Sequence, residues 1–348
     1  MPASDDDLDV LTLWAVHTHL VRETYTTPRL LISSPMPGSG KTTVLEHMER
    51  LVPYGIQMAS VSSPALIPRI ISNREEPTVL LIDEAEKSLS PNKLGIEDVL
   101  GVLNSGYKVG GKRPVLVSTK DGWEPQEMST FAPVAMAGNA PDLPEDTMQR
   151  SITVLMFPAN DGEVEESDWE MIDIPTRDLG MAVAEWADSI RADVKATRPE
   201  VPKGCVGRIK ERWLPLKRVA VFAGGDWAER VDRLIINDLE TMKQDREDGL
   251  TARRIHETLA IDIHHVFTGA HGEFMATADM IPLLIAHNPG AWSAASSYGK
   301  ALTPQRMGRM LTKNYSIRSD RATDSDQRRG YTRAQFGKAW RAVGVTGI

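Results

Sequence analysis

The stretch RLLISSPMPGSGKTT, residues 29 to 43, constrains the fold of this chain more than any other. Arg29 to Ser33 reads as a short buried strand. From Thr42 to Val52, helical spacing sets Val44, Leu45, Met48, Leu51 and Val52 on one face. The break between them carries two prolines and two glycines. A strand that turns through such a break into a helix aims successive backbone N–H groups, and the positive end of the helix, at one point. That point suits a phosphate chain. Pro37, Gly38, Ser39, Gly40, Lys41, Thr42 and Thr43 would form the cradle, with Lys41 reaching the β- and γ-phosphates and Thr42 giving an oxygen to Mg²⁺. The pattern G-x-x-x-x-G-K-[ST] calls for glycine at 35, where this chain has Pro35. A chance glycine-rich turn is the alternative, and the flanking strand and helix speak against it. The expected ligands are ATP and Mg²⁺.

Downstream, PTVLLIDEAEK (77 to 87) is an apolar strand ending in carboxylates. Asp83 would hold Mg²⁺ together with Thr42, and Glu84 would polarise the water that attacks the γ-phosphate. A further apolar strand, FAPVAMAGN, ends in Asn139. Eleven residues on, Arg150 precedes another apolar run, SITVLMF.

Composition bounds the rest. The chain has 348 residues, 41% hydrophobic and 25% charged, enough for two or three domains with a real core. Its one cysteine excludes an internal disulfide, and the N-terminal stretch lacks a basic region followed by an apolar one, so a reducing, cytoplasmic setting is expected. No apolar run approaches the ~18 residues needed to cross a bilayer. Net charge is −8, yet residues 299 to 342 hold eleven Lys or Arg against three Asp, leaving that block at +8 and the remainder at −16. Such a split is the footprint of a polyanion-binding lobe on an acidic body.

Residues 102 to 128 exceed what a bare nucleotide-binding core needs. They mix Tyr107 with Lys108, Lys112, Arg113, Lys120 and Trp123 around a hairpin turn at Lys120-Asp121-Gly122. Cations beside aromatics suit nucleic-acid backbone and bases, while a solvated hairpin with one edge-packing Trp fits equally. After the acidic, turn-rich 159 to 168, helical spacing resumes. From about Leu250 the pattern changes again. Thr303 and Pro304 start a helix that would expose Arg306, Arg309 and Lys313 while Met307, Met310 and Leu311 face inward. The segment after it, with Arg328 and Arg329, resembles a wing hairpin and closing helix. A basic but purely structural lobe is the alternative. His17, His19, His264 and His265 are poorly spaced for a metal site and read as packing or surface histidines.

In order and spacing, the phosphate loop, Asp-Glu strand, Asn139 and Arg150 resemble the AAA+ class of ATPases. The resemblance implies that Asn139 senses the γ-phosphate and that Arg150 reaches the nucleotide of a neighbouring subunit in a ring. It further implies a helical lid arginine at the γ-phosphate, for which Arg208 and Arg212 are the candidates; an ion pair of Arg208 with Glu211 or Asp226 is as plausible. More narrowly, LTLWAVHTHL, LIDEAEK, LNSGYKVGG, RIKERWLPL with AGGDW, and RRGYTRAQFGKAW together resemble a domain-of-unknown-function family of phage and actinobacterial prophage ATPases found beside primase or helicase modules. The expected architecture is an α/β P-loop core over 1–158, a helical lid over 159–248 and a winged-helix-like domain over 249–348. The expected activity is a helicase-like ring motor on DNA, working with phage or host replication proteins and no membrane. A DNA loader or initiator, or an operator-binding regulator with a slow nucleotide switch, are the alternatives.

Overall fold

A computed structural model describes residues 3–59, 66–72, 77–89, 96–120, 122–160, 162–165, 167–247, 255–270, 272–296, 300–321 and 328–345. The chain divides into two compact units, Met1–Thr241 and Met242–Ile348.

The first unit is built on five parallel strands: β1 (Arg29–Ser34), β2 (Tyr54–Met58), β3 (Thr78–Ile82), β6 (Val134–Asn139) and β7 (Ser151–Leu155), in the spatial order β2-β3-β6-β1-β7. All residues of β1 and β3 are buried, as a parallel sheet covered on both faces requires. Side chains alternate between the two faces. Leu30 and Ile32 enter one core with Val79, Leu81, Ala135 and Ala137. Leu31 enters the other with Leu80, Ile82, Val134 and Met136.

Helices fill both sides. On the first lie α1 (Asp5–His19) and α2 (Lys41–Leu51); α3 (Leu66–Ser72) and α5 (Ile96–Ser105) contribute to the second. Ser4 caps α1 by accepting from the amide of Asp7, and Asp5, Asp6 and Asp7 complement the dipole of its first turn. Trp14 of α1 is fully buried, its indole N–H satisfied by the carbonyl of Pro28 at 2.9 Å. Two single-turn helices, α4 (Ala85–Ser88) and α6 (Glu145–Met148), follow β3 and precede β7. Between α5 and β6 the chain forms an antiparallel hairpin of β4 (Lys112–Thr119) and β5 (Gly122–Ser129); Asp121, expected at its turn, lies outside the described residues.

The helical segment expected as a lid comprises α7 (Trp169–Ala196), α8 (Gly207–Ala223) and α9 (Trp227–Glu247), the last running six residues beyond the unit boundary. Ala187, Trp213, Leu216, Val219, Val231 and Ile235 share the core of α1 and α2. Where α7 crosses the end of α2, Gly180 makes the closest approach: a Cβ there would stand 2.3 Å from the carbonyl oxygen of Arg50. Just N-terminal to this crossing, the Arg50 guanidinium lies 3.7 Å from the Trp169 ring centroid and pairs with Asp173 at 2.6 Å. These contacts hold the helix that starts at the phosphate loop.

The second unit contains α10 (Ile255–Gly269), α11 (Thr277–His287), α12 (Pro289–Trp292), α13 (Pro304–Tyr315) and α14 (Gly337–Ala342). They accompany an antiparallel sheet in the order β8 (Phe274–Ala276), β10 (Arg329–Thr332), β9 (Asp320–Arg321). Its core gathers Phe267, Trp292, Phe336 and Trp340. Thr303 caps α13, accepting from the Arg306 amide, and Pro304 occupies the first turn as the sequence predicts. Residues 322–327, within the stretch expected as a wing hairpin, and 248–254, where the last domain was expected to begin, lie outside the described residues.

Replacing Gly180 by Ala separates two opposed effects. Helix propensity favours Ala by about 0.8–1.0 kcal/mol, whereas forcing a methyl into a filled contact costs about 1–3 kcal/mol. The Arg50 carbonyl makes the second term larger, so Gly180→Ala should destabilise the protein. A rise in the urea midpoint would contradict the close approach.

Candidate active site

The C-terminal edge of the parallel sheet gathers the expected phosphate-binding residues. Ser34 pins the turn after β1, its hydroxyl donating to the Met36 carbonyl at 2.8 Å and accepting from the Met36 amide at 3.1 Å. Pro35, Met36, Pro37 and Gly38 are exposed, Gly38 and Gly40 take left-handed φ values of 75° and 80°, and α2 begins at Lys41. Ser39 is buried and Thr43 half-buried, its carbonyl within 2.8 Å of His47 Nδ1. The departure at Pro35 therefore leaves the loop with a built turn.

Lys41 is buried, and its ammonium donates to Ser39 Oγ at 2.9 Å, Asn139 Oδ1 at 2.9 Å and the Met36 carbonyl at 3.3 Å. Burial holds its pKa below the ordinary lysine value, against the opposing pull of Glu86 and Asp83. Register explains the contact with Asn139. Ser34 pairs with Asn139 across β1 and β6, so the last residue of one strand sits beside the loop that leaves the other. From β3, Asp83 brings Oδ2 to 2.9 Å from the Thr42 hydroxyl. Hydroxyl and carboxylate thus stand side by side, as two ligands of one Mg²⁺ must, and the donor set fits that hard cation.

Glu84 follows with φ 48° and ψ 47°, a left-handed conformation that a side chain disfavours. Its amide donates to Asp83 Oδ1 at 2.8 Å, and its exposed carboxylate accepts from Lys87 at 2.5 Å. The kink separates the neighbouring carboxylates, with Asp83 turned to Thr42 and Glu84 outward. Sequence reasoning missed a third acid. Glu86 accepts from the Asn139 amide at 3.0 Å and from Asn139 Nδ2 at 3.1 Å. Gly138 makes room for it, since a Cβ there would lie 2.6 Å from Glu86 Oε2. Glu86, Asn139 and Lys41 form one chain of hydrogen bonds. The acidic run after β3 was visible in sequence, but its partner fifty-three residues away was not.

Arg150 occupies the opposite edge. It immediately precedes β7, whose first residue pairs with Arg29 at the start of β1. In a parallel sheet that start is separated from the phosphate loop by the strand's length, about 17 Å at 3.3 Å per residue. Arg150 is buried, contacts the carboxylate and carbonyl of Asp146, and lies 4.6 Å from the Tyr107 ring centroid. Arg208 also stacks on Tyr107, at 5.1 Å, donating to its hydroxyl and to Glu211 at 3.0 Å. Arg212 is buried between the Ser151 carbonyl, at 3.2 Å, and Asp238. Arg208 and Arg212, expected at the γ-phosphate, thus have their hydrogen-bond partners beside the starts of β1 and β7 in this structure. Thr26 Oγ1 donates to the Glu211 carbonyl at 2.6 Å, fixing this part of α8 beside the start of β1 rather than over the loop.

The expected nucleic-acid contacts are dispersed. Lys108 and Lys120 are exposed, Lys112 pairs with Glu127 at 3.2 Å, Arg113 is half-buried on β4, and Trp123 is 68% exposed. In the second unit Arg309 and Lys313 of α13 and Arg329 of β10 are exposed. Arg328 pairs with Asp279 at 2.8 Å. Arg306 turns onto the carbonyls of Lys300 and Ala301, so it ties α13 to its own preceding loop.

Residues 159–342 match the family described as protein of unknown function DUF3631, and the chain belongs to that family. The matched segment begins after β7, so the phosphate loop lies outside it. An uncharacterized 28.9 kDa protein in the xis 5′ region of Saccharopolyspora erythraea is 30% identical over 165 residues, 47% of this chain and 58% of that protein. The chain thus spans little more than half the length of that relative. Among solved structures, the apo C-terminal region of NrS-1 aligns with TM-score 0.41 and 12% identity over 95% of this chain and 75% of that one. The Thermotoga maritima RuvB Holliday junction branch migration motor aligns with TM-score 0.31 and 16% identity over 99% and 96%. Scores this low carry no inference about function. Among the described residues, no helix is long and apolar enough to cross a membrane.

Because Glu86 hydrogen-bonds Asn139 and reaches Lys41 only through its charge, Glu86→Ala should leave affinity for the expected nucleotide within a few-fold. Turnover should fall on the order of ten- to a hundredfold, the value of one or two charge-assisted hydrogen bonds. Glu86→Gln, which keeps an acceptor for the Asn139 amide, should recover part of that loss. Separate measurement of Kd and kcat checks both, and equal loss in the two quantities would place Glu86 in binding instead.

Proposed function

We propose that this chain is an ATP-hydrolysing P-loop ATPase of the AAA+ type that acts on DNA as a helicase-like ring translocase in phage replication or recombination. One observation supports this most. Lys41, the Thr42–Asp83 pair and Asn139 converge on one edge of a parallel sheet while Arg150 stands on the other. An arginine a strand's length from its own phosphate loop is out of reach of that loop's nucleotide, and a catalytic role for it would fall on the nucleotide of another copy in a head-to-tail assembly.

In this reading Lys41 exchanges Asn139 for the β- and γ-phosphates, and Thr42 and Asp83 hold the metal. Mg²⁺, when bound, would neutralise charge developing on the transferred phosphoryl group. Glu84 leaves Lys87 to orient the attacking water, and Asn139, released by Lys41 but held by Glu86, faces the γ-phosphate. Arg150 from the neighbouring copy stabilises the transition state. The β4–β5 hairpin, with Lys112, Lys120 and Trp123, would grip nucleic acid during the cycle. We assign nucleotide chemistry to residues 1–158, lid coupling to 159–248 and winged-helix-like DNA contact to 249–348. A relative in an xis 5′ region accords with a phage setting.

A second reading, an ATP-switched loader or initiator, is favoured by the outward Arg309, Lys313 and Arg329 of the second unit. ATPase rates with and without single-stranded and duplex DNA, beside a strand-displacement assay, separate the two. Stimulation with unwinding supports the motor, and stimulation alone the loader. Turnover indifferent to DNA would refute both.

Lys41→Ala should abolish ATP binding, whereas Glu84→Gln should keep ATP bound and stop turnover, because only the first removes phosphate contacts. Parallel binding and turnover assays read this directly; loss of binding in both would remove Glu84 from the role of water-polarising base.

Residues 299–342 carry +8 and the remainder −16, so nucleotide-free DNA affinity should reside in the second unit. Replacing Arg309, Lys313 and Arg329 by Gln in the full chain should weaken that affinity. It should also flatten the slope of log K against log salt by about 0.9 for each duplex phosphate that is no longer neutralised. An unchanged slope would return these side chains to a structural role.

A further inference from the structure

The second unit holds a hollow of about 480 Å³, lined by Tyr315, Ile317, Arg318, Gln335, Lys338 and Ala339 among others. Local structure makes it. α13 ends at Ser316, which takes a left-handed φ of 57° and donates its amide to the Thr312 carbonyl at 3.1 Å. The chain turns there, so that Ile317 is buried while Arg318 stands in solvent. Gln335 ties the other wall to this turn. Its Nε2 donates to the Arg318 carbonyl at 3.1 Å and its Oε1 accepts from the Thr332 amide at 2.8 Å, which brings the start of α14, with exposed Lys338, to the same rim. The floor is apolar, with Ile317 and Ala339 both buried. Tyr315 is held by its hydroxyl, which donates to the His256 carbonyl at 3.2 Å. Burial, with Glu257 as the lesser cause, pushes its pKa up to about 12, so the ring adds no charge.

Charge and position narrow the ligand. The lining has two cations, Arg318 and Lys338, and no carboxylate. Neither cation has an ion-pair partner among the described residues, and Asp320, close to Arg318 in sequence, gives its Oδ1 to the Arg321 amide at 2.8 Å. The hollow also lies away from the basic row of α13. Met307, Leu311 and Tyr315 recur at every fourth position and share the inward row of that helix, whereas exposed Arg309 and Lys313 lie on the opposite side. A nucleic-acid backbone on that exposed row would leave the hollow open, and phosphates have no use for an apolar floor. An acidic segment with one large apolar side chain matches both halves, the side chain on Ile317, Ala339 and Tyr315 and the carboxylates on Arg318 and Lys338.

We propose that this hollow is a docking site for an acidic peptide segment of a partner protein, in which an apolar anchor stands between carboxylates. Arg318 and Lys338 select the charge, and the floor selects the anchor. The second unit thus carries two separate surfaces, a basic helix row and a cationic hollow with an apolar base, so a protein partner and a nucleic acid can be held at once. Such docking needs neither nucleotide nor DNA, and it stands or falls apart from the ATPase reading.

The probe is a fluorescently labelled peptide of one phenylalanine flanked on both sides by aspartates, titrated with the full chain. Binding should saturate with Kd below about 1 mM. Alanine in place of the peptide's phenylalanine should weaken it on the order of tenfold, and so should the double variant Arg318→Gln/Lys338→Gln. Both substituted side chains are exposed, so the core is left intact. The same variant should keep the slope of log K against log salt for duplex DNA, which Arg309→Gln/Lys313→Gln should flatten without loss of peptide. Equal binding of the phenylalanine and alanine peptides would reduce the contact to charge attraction and sink the docking site. So would the lack of saturation by about 1 mM, or an unchanged peptide affinity in the double variant. A flattened DNA slope in the double variant would assign the hollow to nucleic acid, and loss of self-association would assign it to another copy of the chain; either overturns the acidic partner.

Discussion

The parallel pairing of β1 with β6 on one side and β7 on the other is the constraint on which the rest of this structure depends. It sets Ser34 against Asn139 at one edge and Arg29 against Ser151 at the other. Parallel strands all run in the same sense, so residues that end them collect together and residues that begin them collect a strand's length away. The phosphate loop, Asp83 and Asn139 are strand ends, while Arg150 precedes a strand. Their separation follows from chain direction and needs no special packing.

The helices then defend that geometry. α2 must keep its first turn at the loop, and its other end is fixed by the Gly180 approach and by the Arg50 contacts with Asp173 and Trp169. A single hydrophobic core spans α1, α2, α7, α8 and α9. A disturbance of the α7 crossing therefore reaches the loop through a packed helix, and the same continuity holds Arg208 on α8 beside the sheet edge where β1 begins.

Much of this was legible in the sequence, for physical reasons that also mark where legibility ends. The strand, loop and helix around Lys41 announce themselves through local periodicity and breaks, and Thr303 with Pro304 announces α13 in the same way. β2 was not legible, because YGIQM is half-buried throughout and neither alternates nor forms a continuous apolar run. Glu86 escaped because its partner comes from a distant segment, and Tyr107, read within the cation–aromatic insert, takes Arg150 and Arg208 from segments that local spacing does not bring to it. Arg306 was legible as an exposed cation of a helix, but the chain uses its charge on nearby carbonyls. Arg208 shows the same limit from the other side: the family resemblance singled it out within the helical segment, and only tertiary packing decided which end of the sheet α8 would meet.

Lys41 and Asn139 hold one further consequence. Because the lysine already has a charge-assisted partner, the affinity of the loop for nucleotide is a difference between two contacts rather than the strength of one. In the proposed cycle, loss of the terminal phosphate would let Asn139, its amide held by Glu86, take the ammonium back. The same hydrogen bonds would then compete with each new nucleotide for Lys41.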